Sequence, residues 1–224
     1  MPVQTRMVIP LTVLTAASAW CLALLIARLV ELGSVGYPGI VWNLILAWVP
    51  VLLALALLAC TRRGRPRREL IALGCVWLLF LPNAPYVMTD FVHLGYDHRV
   101  FDSLIFGSFG ATGLALGLVS LVIVQGVVTQ ARGALAGWTV AAASLVASSV
   151  GIYLGRVQRL NSWDALTQPR RILGIARAWL DNPLAHRHLL IVVAGLAVFL
   201  MLAYFALYAF TSLVARTTTN QRPS

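Results

Sequence analysis

Residues 70–94 read "LIALGCVWLLFLPNAPYVMTDFVHL", and two properties of this stretch decide the fold class. Residues 70–81 are an unbroken apolar run. At 1.5 Å per residue such a run covers only about two thirds of a ~30 Å hydrocarbon core. Pro82 and Pro85 follow at once. Each removes a backbone donor and disfavours helical geometry in the residue before it. A segment that begins as a membrane span is therefore expected to break while still at membrane depth. Irregular backbone is tolerated there only when it is buried in protein or lines a wet cavity. The expectation is a third span over about 70–94, broken at 82–85, with the break forming the floor of a polar pocket.

The rest of the chain agrees with a bilayer as its solvent. Of 224 residues, 60% are hydrophobic and 11% charged, with a mean hydropathy of +0.85. Soluble domains carry about 25% charged residues. Further apolar runs long enough to cross occupy about 8–30, 38–59, 101–130, 135–153 and 188–214. Together with the broken segment they predict an all-α, polytopic integral membrane bundle of six spans, forming one transmembrane domain over 1–224. The apolar run from residue 8 continues past the Ala17-Ser18-Ala19 triplet to Ile26, which suits an uncleaved span better than a signal peptide.

The +10 net charge comes entirely from arginine, since the chain has no lysine. The arginines lie between apolar runs and form no single basic patch. They therefore predict attraction to anionic lipid headgroups, not binding of nucleic acid. Six spans place both termini on one side, and sorting the arginines gives nine on that side against eight on the other. Density decides where the count does not. The loop "TRRGRPRRE" packs Arg62, Arg63, Arg65, Arg67 and Arg68 between two spans, where the positive-inside rule acts most strongly. The expected location is the cell inner (plasma) membrane, with both termini cytoplasmic. The loops after the third and fifth spans then share the outer face.

Two polar segments on that face carry the candidate site. In the first, Asp90 and His93 stand three apart, and a carboxylate beside an imidazole is a general acid/base arrangement. The same residues also read as an ordinary helix start, with Thr89 or Asp90 as cap. Asp97, His98, Arg99 and Asp102 read as a wet turn. In the second segment, "GIYLGRVQRLNSWDALTQPRR", Arg156 and Arg159 share a helical face, and guanidinium forks bind phosphate or carboxylate. Snorkelling at a span end is the competing account. Asn161 and Asp164 match a capping-box-like pair, with Trp163 as an interfacial anchor.

Residues 169–181 read as an amphipathic helix lying in the interface before the last span. Ile172, Ile175, Ala176, Trp179 and Leu180 share its apolar face, and Arg170, Arg171 and Arg177 are polar. Gly107, Gly110, Gly113 and Gly117 in span four, and Ser144, Ser148, Ser149 and Gly151 in span five, predict close packing of these two spans. A homodimer seam on the same small-residue faces is the alternative. Cys21, Cys60 and Cys75 show no metal-ligand or disulfide spacing and read as small hydrophobes, and the sequence names no cofactor.

The paired motifs "LPNAPYVMTDFVHL" and "GIYLGRVQRLNSWD", in that order, resemble those of the bacterial membrane proteins grouped as domain of unknown function 1361. The resemblance runs from about Glu69 to Val214 and implies an integral membrane protein with no assigned activity. Matched motif positions are Pro82, Asn83, Pro85, Tyr86, Asp90, His93, Arg156, Arg159, Asn161, Trp163 and Asp164. The resulting expectation is an extracytoplasmic pocket in an enzyme or binder of an anionic headgroup or lipid-linked phosphate. Asn83, Tyr86, Arg156, Arg159, Asn161, Trp163 and Asp164 would bind it, and Asp90 and His93 would supply acid/base chemistry or bind a metal. A small-solute transporter and a structural or assembly partner are the rival readings.

Overall fold

A computed structural model describes residues 3–33, 37–89, 99–181 and 187–220. These residues are helical throughout, joined by short turns, with no strand among them. The elements are α1 (Val3–Leu32), α2 (Pro38–Arg62), α3 (Arg67–Phe80), α4 (Asn83–Tyr86), α5 (Arg99–Arg132), α6 (Ala134–Val157), α7 (Asp164–Thr167), α8 (Pro169–Asp181) and α9 (Arg187–Asn220). Among the described residues, six stretches are long and apolar enough to cross a membrane, the third being Arg67–Thr89, which spans the proline break.

Helix α5 is the central post. It packs against α1, α2, α4 and α6, while α9 packs against α6. Its inward face carries Ile105, Phe106, Phe109, Leu116 and Leu121, all essentially inaccessible. Buried polar pairs tie neighbours to it. Trp77 of α3 donates its indole N–H to Ser120 Oγ (3.3 Å), and Tyr204 of α9 donates its hydroxyl to the side-chain amide oxygen of Gln125. Near one end, Arg28 of α1 pairs with Asp102 of α5 at 2.8 Å, both side chains over nine-tenths buried. Tyr37 donates its hydroxyl to the other Asp102 oxygen at 3.2 Å, and the Arg28 guanidinium lies over its ring. Asp102 is therefore no part of a wet turn. It sits one turn inside α5, where the buried guanidinium supplies the partner that water would have supplied.

The proline break differs from the expected one in form. Helix α3 ends at Phe80, but Leu81 (φ −53°, ψ −40°) and Pro82 (φ −59°, ψ −27°) keep helical angles, and α4 begins at Asn83. Residues 87–89 continue as a single 3₁₀ turn. The prolines thus act by deleting donors and not by forcing extended backbone. The Ala84 N–H turns to the Leu81 carbonyl (3.2 Å), three residues back, and the regular four-residue bond resumes at Tyr86 N–H to Pro82 O (3.0 Å).

What holds this kinked segment is a set of glycine ledges. A Cβ on Gly113 would lie 2.5 Å from the Ala84 carbonyl oxygen, and one on Gly117 would lie 3.1 Å from the Ala84 Cβ. On α6, a Cβ on Gly151 would meet Pro82 at 2.5 Å, and one on Gly155 would meet the Tyr86 ring at 3.1 Å. Spans four and five do pack together, yet these small residues are turned towards the PNAP segment, which wedges between α2 and α6 upon α5. Close approach of backbones is the usual role of such residues in lipid. Ala84, Pro85 and Val87 form the buried side of the wedge, and Pro82, Asn83 and Tyr86 are only partly covered.

Gly113→Ala should therefore lower the melting temperature in detergent, by an overpacking cost of about 1–3 kcal/mol. Gly74→Ala, on α3 where an added Cβ meets nothing within 4 Å, serves as the control. It should be neutral or slightly stabilising, as alanine is in helices. Equal melting temperatures for the two variants would show that the ledge on α5 is not tight.

Candidate functional site

The kink leaves orphan backbone groups, and the site is built from the side chains that reach them. Because the Ala84 N–H has turned to Leu81, the Phe80 carbonyl lacks its helical donor. Asn83 Nδ2 supplies one at 3.0 Å and also donates to Ser162 Oγ at 2.8 Å. One amide thus closes the break and clips it to the loop after α6. Beyond α4, Thr89 returns its hydroxyl to the Tyr86 carbonyl at 2.7 Å. The Arg156 guanidinium donates to the Thr89 carbonyl and lies over the Tyr86 ring, 5.1 Å from its centroid. The two polar segments are therefore in direct contact.

Arg159 is placed differently. It is exposed and adopts the left-handed region (φ 53°), which among non-glycine residues no other described position does. The chain reverses there, with the Gln158 and Leu160 N–H groups both returning to the Leu154 carbonyl at 3.1 and 3.2 Å. Left-handed geometry at a helix end normally selects glycine. Among the described residues the Arg159 side chain makes no hydrogen bond or ion pair.

These residues border a groove of about 950 Å³, in the size range of small-molecule sites. Pro82, Asn83 and Tyr86 form its floor, with Trp42, Asn43 and Leu46 of α2 on one side. Ala147, Val150, Gly151, Leu154, Gly155 and Arg156 of α6 form the other. Arg159, Leu160, Asn161 and Ser162 border the polar end with Ile172 of α8, and Cys75, Leu78 and Leu79 line the apolar end. No carboxylate lines it among the described residues.

Of the residues expected from sequence, Asn83, Tyr86, Arg156, Arg159 and Asn161 border this groove. Trp163 and Asp164 do not. Asp164 is buried in its own loop, accepting the Asn161 backbone N–H at 2.7 Å and the Gln168 side-chain N–H at 3.3 Å. The first of these is the return half of a capping box, so Asp164 shapes the loop that presents Asn161 and Ser162. Asp90 and His93 lie outside the described residues, as do Asp97 and His98. Asp90 directly follows Thr89, whose carbonyl Arg156 holds. No group of three or more metal-ligating side chains occurs among the described residues. Sequence reasoning missed Ser162, Asn43 and the apolar end of the groove. A lone serine or asparagine beside an apolar run carries no spacing signal.

Helix α8 presents Leu173 and its arginines outwards and reaches back through Trp179, which meets the Tyr153 ring edge-to-face at 5.9 Å. Arg171 also extends towards the Gln158 carbonyl (3.5 Å). The amphipathic helix is thus anchored on the loop that borders the groove.

The chain matches the family described as "Protein of unknown function (DUF1361)" over residues 42–203, well over half its length. It belongs to that family. The matched region contains both polar segments, most of α2, all of α3 to α8 and the first half of α9. No significant match was found among curated proteins or solved structures.

Asn83→Ala should leave the Phe80 carbonyl without its donor, an unsatisfied-group cost of about 1–3 kcal/mol. A fall in detergent melting temperature checks this. Asn83→Asp, which replaces the donor by an acceptor, should be at least as damaging, and a wild-type melting point for either would overturn the role given to this amide.

Proposed function

We propose that this member of the family binds an anionic headgroup or lipid-linked phosphate at the polar end of the groove, on the extracytoplasmic face of the inner membrane. The observation that carries the reading is Arg159: an exposed guanidinium held in a backbone conformation suited to glycine, at the mouth of a groove lined by no described carboxylate. A strained residue at the edge of a pocket is a pointer to function. Arg156 is engaged by the Thr89 carbonyl and the Tyr86 ring, so it positions the floor and lends its charge to the site. Asn161 and Ser162 add polar groups around the anion. Asp90, next in the chain after Thr89, and His93 would supply acid/base chemistry if the bound group is also transformed. Binding is favoured over transport because the groove lining turns apolar towards Cys75 and Ala147, whereas a solute path would need polar groups continuing to the opposite face.

The orientation rests on the five arginines between α2 and α3. Cysteine placed at Arg65 should be reached by an impermeant thiol reagent only from the cytoplasmic side, and cysteine placed at Thr167 only from outside, with the three native cysteines replaced. Accessibility from the same side would end the extracytoplasmic assignment.

The anion-binding role separates from simple anchoring through Arg159→Gly. Relief of a left-handed side chain should raise stability by about 1 kcal/mol, while retention of an anionic lipid on the purified protein should fall. A snorkelling arginine would show the stability change without the binding loss. Arg156→Ala should lower both, since it also removes the hold on Thr89.

A further inference from the structure

The groove extends far beyond what an anion requires. From Arg156 the α6 wall runs through Gly155, Leu154, Gly151 and Val150 to Ala147. Nine helical steps span about 14 Å. Half of a ~30 Å hydrocarbon core is about 15 Å. The apolar part of the groove therefore has the depth of one leaflet, with its charged end at the membrane face. Its opposite border is formed by Leu78, Leu79 and Cys75 of α3. Helices α3 and α6 pack closely on other neighbours but touch each other little, and Trp42, Leu78 and Cys75 along the groove are exposed. In a membrane-spanning segment, that exposure faces lipid.

We infer that the apolar part of the groove holds one hydrocarbon chain of an anionic lipid of the outer leaflet, which enters sideways from the bilayer between α3 and α6. This rests on the headgroup reading above and adds the chain, the leaflet and the direction of entry. Charge and polarity both select the occupant. The arginines at the mouth call for an anion, and the wall below them offers a chain no polar partner at all from Leu154 to Ala147. A water-soluble phosphate would satisfy the mouth and leave the 14 Å shaft unfilled. The glycines serve here too, since Gly151 and Gly155 keep α6 close to Pro82 and Tyr86 and so give the shaft a continuous floor.

The native cysteines provide the test. Cys75 lines the apolar end, Cys60 lies at the far end of α2 outside the groove, and Cys21 is fully buried. The unaltered protein in phosphatidylcholine nanodiscs is treated with N-ethylmaleimide, and modification of each cysteine is followed by mass spectrometry. Radiolabelled hexadecyl phosphate, glycerol phosphate and hexadecanol are compared, with retention on the protein measured in parallel. At about ten times its Kd, hexadecyl phosphate should slow modification of Cys75 about tenfold and leave Cys60 unchanged. Glycerol phosphate, without a chain, and hexadecanol, without a charge, should not protect Cys75. Retention of hexadecyl phosphate that Arg159→Gly abolishes, with no slowing at Cys75, would overturn the chain site and leave the headgroup reading standing. Equal protection by hexadecanol would keep a chain site and overturn the headgroup reading. No retention of any anion would overturn both.

Discussion

Backbone hydrogen bonding in a medium without water is the constraint on which this structure depends. In the hydrocarbon core an unpaired carbonyl or N–H costs several kcal/mol, so a proline break must be repaired by protein. Pro82 and Pro85 delete two donors in succession, and the repair draws on three parts of the chain. The Ala84 N–H shifts to a nearer carbonyl, Asn83 caps Phe80 with its own amide, and Arg156 crosses from α6 to the Thr89 carbonyl. The last two repairs each place a polar side chain where the fold would otherwise want an apolar one. The polar site is thus a consequence of the break, and the break is affordable only because the site exists.

Packing follows from the same point. A kinked segment of four residues has too little surface to anchor itself through side chains, so its backbone must come close to its neighbours. Gly113 and Gly117 on α5, with Gly151 and Gly155 on α6, admit it from two directions, and an added Cβ at any of them would collide with or crowd the wedge. The spacing of four residues in each pair matches one helical turn, so each pair presents a flat strip instead of a single gap. The buried Arg28–Asp102 pair then ties α1 to the start of α5, on which the wedge rests. Breaking one member of such a pair leaves an uncompensated charge, typically costing about 3–5 kcal/mol.

Much of the fold could be read from the chain because solvent imposes it. Five long apolar runs, the short run that Pro82 interrupts and an amphipathic stretch at 169–181 each have a direct physical meaning in lipid. The two polar segments were expected on one face from the parity of the spans, and Arg156 brings them into contact by donating to the Thr89 carbonyl. Features decided by distant partners were illegible. Asp102 stood in a polar neighbourhood with Asp97 and His98, and nothing local signalled that Arg28, far away in sequence, would bury it. The glycines announced close packing but not what they would pack against. Asp164 looked like a ligand-facing acid and a loop-shaping acid at once, and only the geometry of Asn161 chose the second.

The two arginines show how one motif can be divided between a buried hold and an exposed charge. Arg156 and Arg159 are three apart, and on a continuous helix they would face the same way. The helix instead ends at Val157, and Arg159 lies beyond it in the left-handed turn. That turn separates the two guanidinium groups: Arg156 goes inwards to the Thr89 carbonyl and the Tyr86 ring, while Arg159 stays at the exposed mouth. Had the turn held glycine, the backbone would be easier to form and the mouth would lose its only exposed charge among the described lining residues. On the anion-binding reading proposed above, the strained turn is what would convert a helix end that could merely anchor a span into the rim of a site, its conformational cost set against function and not against the fold.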